Sequence, residues 1–320
     1  MEAQGKRRII DAHMHLYDSR ENRYEHMEHP DVMLQALVGD YSALPKRYSF
    51  EDYVVDLGDV EIDGIVWHEF IAADSVREVK WAQRLAEQLP VPMAIVELVD
   101  FLAPDLESRL NTYSQQANVA AVRQHLGWDA GDSVGCMAKR GDLLRDANWQ
   151  QGVRLLRKYR FKCSLEVFSP QLPDLLTVIR QNSETGFTIA VMGWPITVDD
   201  GEFKRWKQSL KEIACCENVR LTISAIECVF GMEWDVAQAQ LWIEAVMELF
   251  GTERVMFGSH RPISKLARNV ARPYAAYEEM TRGLSAAERD AVFRTNAARW
   301  FWQGLDRGKV RFPESARDLV

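Results

Sequence analysis

Eight short apolar runs, each separated from the next by a stretch long enough for a helix, constrain this chain more than any other feature. They lie at residues 8–12, 63–68, 92–99, 119–125, 161–168, 187–192, 219–225 and 254–258. Most are nearly continuous in Val, Ile, Leu, Phe and Ala, the composition of parallel strands covered on both faces. Between them, apolar residues at three- and four-residue spacing predict helices over 75–88, 104–116, 148–159, 172–182, 202–215 and 234–250. Each helix could return the chain for another parallel strand. Eight such pairs over 320 residues, without a break in composition, favour one closed (β/α)8 barrel spanning 1–320 over two domains. An open doubly wound sheet is the alternative, but neither GxGxxG nor GxxxxGK[ST] follows the first run, so its usual nucleotide-binding rationale is missing.

Two features decorate this frame. Residues 17–50 form a long insertion after strand one, carrying Tyr17, Arg20, Arg23, Tyr24, His26 and His29, and are either a lid or a solvated excursion. Near the other end, Ser285 and Glu288 fit a capping box that starts a C-terminal helix with Val292, Phe293 and Trp300 on its apolar face. The aromatic-rich C-terminal segment suggests a contact surface.

Charge narrows the function classes. Thirty-nine basic against 47 acidic residues, a formal charge of -8, argue against a broad surface for nucleic acid or anionic lipid. No run approaches the ~18 apolar residues of a membrane span. The opening MEAQGKRRII reaches charged residues before a signal-peptide core develops, so the expected location is cytoplasmic and the expected partner a small-molecule substrate. The five cysteines include no CxxC pair and read as small buried or half-buried residues.

In such a barrel the C-terminal strand ends converge on one mouth, so polar residues there carry the chemistry. Strand one ends in Asp11-Ala12-His13-Met14-His15, and side chains two apart face the same way. His13 and His15 would together bind one divalent cation or a substrate oxygen. Strand two offers Trp67, His68 and Glu69; strand four offers Arg123 and His125 on one face; strand five offers Glu166. Arg123 is the best anion anchor, because its planar fork can hold a substrate carboxylate, unless it forms a salt bridge within the barrel. Glu166 is then a metal ligand, a general base or that bridge's partner. Strand eight ends in Phe257-Gly258-Ser259-His260-Arg261-Pro262, placing His260 at the mouth as a candidate general base beside Arg261, which would disfavour its protonated form. Tyr17, Trp67, Trp128 and Trp194 near the proposed mouth point to a ring-shaped or partly apolar substrate.

With HxH on strand one and FGSHRPI at strand eight, supported by IIDAHMHLYD, VAAVRQHLGW, MGWP, ENVRLTISAI and RTNAARWF, the chain resembles the second amidohydrolase family of lactonase-like and decarboxylase-like barrels. The resemblance spans nearly the whole chain and implies a TIM barrel. Where that family commonly has His in a segment like HxGxP, this chain has Met192-Gly193-Trp194-Pro195, and where it usually has Asp in FGSDxP, this chain has His260. A thioether is a poor ligand for zinc or manganese, so the familiar metal set is incomplete. Either His260 completes an unusual site with His13, His15 and Glu166, or the site is metal-free, with His13 and His15 polarising a carbonyl, His260 activating water and Arg123 holding a carboxylate. The reading favoured is a hydrolase opening a lactone or related cyclic ester or amide of a small, carboxylated substrate. Expected catalytic residues are His260, Arg123, Glu166 and His125; expected substrate-binding residues are Arg123, His68, Tyr17, Trp67, Trp194 and Arg261. A metal-dependent non-oxidative decarboxylase of an aromatic or unsaturated acid, and a barrel that has lost catalysis, are the alternatives.

Overall fold

The computed structural model describes residues 6–132 and 134–316. Eight parallel strands follow one another around a single sheet: β1 (Arg7–Met14), β2 (Val60–His68), β3 (Met93–Leu98), β4 (Val119–His125), β5 (Lys162–Glu166), β6 (Phe187–Ile189), β7 (Val219–Ile223) and β8 (Val255–Phe257). All eight apolar runs are strands, and the architecture is an α/β TIM barrel. No helix among the described residues is long and apolar enough to cross a membrane.

Residue alternation sorts the core. Ile9, Ile65, Trp67, Ile95 and Val122 turn outward and pack with the helices. Their neighbours Ile10, Val66, Ala94, Val96, Ala121 and Met256 form a second cluster that also contains Phe301 and Trp302. The C-terminal aromatics, expected as a contact surface, thus floor the barrel. Gly64 makes this possible, since a Cβ there would lie 3.3 Å from the Pro92 carbonyl oxygen and 3.5 Å from the Trp302 ring.

The seam between β8 and β1 is closed by few bonds. His260 donates its backbone N–H to the His13 carbonyl, and His15 donates to that of Arg261, both at 2.8 Å. Buried Asp11 staples the same seam, accepting from the Ser259 N–H at 2.8 Å, the His13 N–H at 3.2 Å and the Tyr53 hydroxyl at 2.8 Å.

The predicted helices appear as Ser75–Gln88, Leu106–Ser114, Leu172–Gln181, Asp200–Ala214 and Val236–Phe250, whereas 148–159 divides at Leu155 into Ala147–Arg154 and Leu156–Tyr159. Strand six stops three residues before its expected end, because Val191 and Met192 adopt left-handed φ of 52° and 56°. The Ser285–Glu288 capping box forms, but its helix ends at Asp290 and a π-helical turn over Ala291–Thr295 leads into Asn296–Trp302. Residues 17–50 hold a two-stranded ribbon, Tyr17–Asp18 against Arg47–Tyr48, and two short helices, Glu25–Glu28 and Val32–Val38.

Candidate active site

Backbone strain marks one end of the barrel. Of the seven non-glycine residues with positive φ among the described residues, six follow the carboxyl ends of strands: Ile71, Val191, Met192, Trp194, Ala225 and His260. Such conformations persist where surrounding structure enforces them, often at functional sites. A cavity of about 90 Å³ opens at this mouth, lined at its base by His13, His15, Glu69, Arg123, His125, Glu166 and His260.

A bulge in β1 aims the first two histidines. Asp11 pairs with Ile65 but Met14 pairs with Trp67, so β1 carries one extra residue. Ala12 and His13 therefore both turn inward, and His15 follows His13 by normal alternation. His15 Nδ1 lies 3.1 Å from the carbonyl oxygens of both His68 and Glu69. Carbonyls only accept, so Nδ1 carries the proton and Nε2 presents a lone pair. His13 Nδ1 meets the Ser224 hydroxyl at 2.7 Å, a partner able to donate or accept. Burial, followed by repulsion from His260, pushes the His15 ring down to about 3, and burial likewise lowers His13.

His260, after β8, places Nδ1 2.6 Å from Oε1 of Glu227. A carboxylate accepts, so this ring too is protonated at Nδ1 and free at Nε2. Glu227 is buried in the first turn of the short helix Ile226–Phe230 that follows β7. Ligand atoms of His13, His15 and His260 lie within 4.8 Å of one another, and each ring's Nδ1 has a hydrogen-bonding partner. Imidazoles backed in this way suit a first-row divalent cation such as zinc. Opposing a cation, the Arg123 Nη1 lies 3.5 Å from His13 Nε2.

Across the cavity floor, two carboxylates face two cationic side chains. Arg123 donates from Nε to Glu69 Oε1 at 2.5 Å and from Nη1 to Glu166 Oε1 at 3.0 Å. His125 donates from Nδ1 to Glu166 Oε2 at 2.6 Å, with Nε2 3.1 Å from Glu69 Oε1. Burial opposes charge on His125, but Glu166 outweighs it and raises the imidazole to about 9. Burial pushes Glu166 up, yet His125 and Arg123 hold it well below the usual carboxylate range. The quartet is electrically balanced when His125 is protonated.

Several residues expected at the mouth lie elsewhere. The Arg123 fork is engaged by Glu69 and Glu166, the barrel salt bridge weighed in the sequence. His68 lies beneath the cavity, donating from Nε2 to the Ala12 carbonyl at 3.2 Å and accepting from Arg123 at 3.1 Å. Trp67 turns outward because it alternates with His68, and its indole N–H reaches the Leu16 carbonyl at 2.8 Å. Tyr17 is buried in a stack on Phe70, its hydroxyl on the Pro45 carbonyl. Arg261 points from the cavity to the Ala271 carbonyl. Trp194 does line the cavity, edge-on to Phe168, with Val191 rather than Met192 facing in after β6. The sequence reading missed Glu227, Ser224 and the pairing role of Glu69. Glu227 stands just past the ENVRLTISAI segment, and an acidic residue beyond a strand's carboxyl end was the available signal.

A family model described as amidohydrolase matches residues 10–302. The chain belongs to the amidohydrolase family. Among curated proteins it is similar to protein y4mH of Sinorhizobium fredii, 28% identical over 297 residues that cover 92% of this chain and 98% of that one. It is also similar to an L-fucono-1,5-lactonase of Burkholderia multivorans, 28% identical over 168 residues, 49% of this chain and 56% of the relative. Among solved structures, an amidohydrolase from Burkholderia multivorans with bound zinc superposes with a TM-score of 0.74 at 22% identity, covering 92% of this chain and 98% of that one. At that identity the likeness is one of fold.

Proposed function

We propose that this amidohydrolase-family barrel hydrolyses a small lactone or a related cyclic ester or amide. The observation that carries the reading is the His260–Glu227 pair, with Nδ1 and Oε1 2.6 Å apart and His260 lining the cavity beside His13 and His15. With its Nδ1 proton on Glu227, His260 offers Nε2 to take a proton from water, and the carboxylate stabilises the imidazolium that results. His15, fixed with its Nε2 lone pair outward, accepts a hydrogen bond from that water. For His13 to donate from Nε2 to the substrate carbonyl, the Ser224 hydroxyl donates to its Nδ1 and Arg123 Nη1, 3.5 Å from Nε2, keeps its bonds to Glu166 and His68 instead; the bond to the carbonyl strengthens as the oxyanion develops. Water oxygen adds to the carbonyl carbon, the ring C–O bond breaks, and the proton on His260 passes to the departing ring oxygen. The product is a hydroxy acid. The relatives named as lactonases support this class of reaction.

A metal-assisted version has its own support in the three-histidine cluster. His13, His15 and His260 would hold the ion, which would supply Lewis-acid polarisation of the carbonyl and a more acidic bound water. His260 Nε2 serves either as ligand or as base, so the two versions are exclusive. Elemental analysis of protein purified without added metal or chelator, with activity on a lactone panel before and after chelation, separates them. Chelator-resistant opening by metal-free protein is the expected result. About one zinc or manganese per chain with chelator-sensitive activity would transfer all three histidines to the metal, and no turnover on any cyclic ester or amide would overturn the hydrolase reading.

A further inference from the structure

The cavity has one polar end and a remainder that is apolar apart from His26, whose ring stands edge-on to Phe70 with centroids 5.0 Å apart. The helix Val32–Val38 of the insertion, capped by Asp31 and ended at Gly39 with φ of 71°, turns Met33, Leu34, Leu37 and Val38 into the cavity and leaves Val32, Gln35 and Ala36 to solvent. Residues one, four and five apart form one helical face, so the roof is hydrocarbon by construction. Tyr41 also faces in, but its hydroxyl accepts from the Asp31 N–H at 2.6 Å and donates to the His26 carbonyl at 3.0 Å, leaving its ring for contact. Phe70, Ile71, Met137, Val191, Trp194 and Ile263 continue the wall.

Charge gives the same direction. Among the described residues lining the cavity, Arg123 is the one arginine and there is no lysine. Its guanidinium and the His125 imidazole are already matched by Glu69 and Glu166, so the cavity offers a substrate carboxylate no unpaired positive charge. A substrate hydroxyl pressed against the roof would give up its water without a replacement partner, losing about ten- to a hundredfold in affinity. Only the carbonyl end meets His13, His15 and His260.

Resting on the lactone reading, we infer that the substrate is a compact lactone whose ring carries hydrocarbon substituents, not hydroxyls or a carboxylate, with the Val32–Val38 helix as its cover.

The test compares two probe series on the wild-type protein. The first is turnover of δ-valerolactone, its short-chain alkyl derivatives, glucono-1,5-lactone and a carboxylated lactone. The second is binding, by calorimetry, of cyclohexanone and its alkyl derivatives, which keep the carbonyl but have no ring oxygen to expel. Ketone affinity should rise about fourfold for each of the first one or two added methylenes. The hydroxylated and carboxylated lactones should be opened at least tenfold less efficiently than the alkyl lactones. Leu34→Gln with Leu37→Gln should flatten the methylene gradient while cyclohexanone itself still binds. A flat gradient in wild type, or preferred opening of the hydroxylated or carboxylated lactone, overturns the inference but leaves hydrolysis standing. A clear ketone gradient without opening of any lactone overturns hydrolysis and leaves the apolar specificity standing.

Discussion

His260 Nδ1 lies 2.6 Å from Glu227 Oε1, a contact joining the end of β8 to the helix after β7. Both groups are largely buried, and the bond fixes the tautomer that leaves Nε2 free. Glu227→Gln keeps the shape but removes the charge that stabilises an imidazolium. It should lower kcat roughly a hundred- to ten-thousandfold with little change in KM, and His260→Ala should abolish turnover in a folded protein. Steady-state kinetics on the best lactone check this; near wild-type kcat in either variant would remove the pair from the mechanism.

Arg123 serves its own barrel before any ligand. In Arg123→Met, Glu69 and Glu166 lose one of the two cationic partners they share in a buried site, which should cost about 3–5 kcal/mol by urea unfolding. Whatever activity survives should fall equally for carboxylated substrates and their methyl esters. A selective loss for carboxylates at unchanged stability would restore Arg123 as a substrate anchor.

Gly258 lets β8 approach β1. A Cβ there would sit 2.6 Å from His13 Cβ and 2.7 Å from His13 N, so Gly258→Ala must displace the histidine or the seam. The variant should lose about 1–3 kcal/mol of stability and at least tenfold in kcat. Wild-type values for both would show that the seam yields without moving His13.

Trp302, fully buried at the opposite end, separates stability from chemistry. Trp302→Ala should cost about 3–5 kcal/mol by opening the floor, while kcat below the unfolding transition stays within about twofold. A large fall in kcat with the fold intact would mean that floor and mouth are coupled.

Stability should pass through a maximum near neutral pH. His125 is raised to about 9 in the folded chain, so its contribution is complete below the ordinary value near 6.5 and is lost as pH climbs through 9. His15 is lowered to about 3, so its contribution holds above about 6.5 and is lost as pH falls. Urea midpoints at about pH 4.5, 6.5 and 9.5 should be highest in the middle, and His125→Gln should reduce the alkaline limb. An unchanged midpoint between the two higher values would contradict a charged His125.

The sequence by itself determined the barrel, since eight apolar runs and the helical spacing between them are local patterns set by backbone periodicity and burial. It also determined that His13, His15 and His260 meet, because residues at strand ends of a closed barrel share one mouth. Parity along a strand was legible in part: the rule pairing His13 with His15 held, whereas Trp67 was assigned to the mouth although its neighbour His68 already occupied the inward position. What only the tertiary structure decided are contacts between strands distant in sequence. Arg123 finds Glu69 54 residues away and Glu166 43 away, and His260 finds Glu227 33 away. These pairings depend on inter-strand register, on the β1 bulge and on where each loop turns back. No local pattern encodes those quantities, because they follow from closing the whole ring.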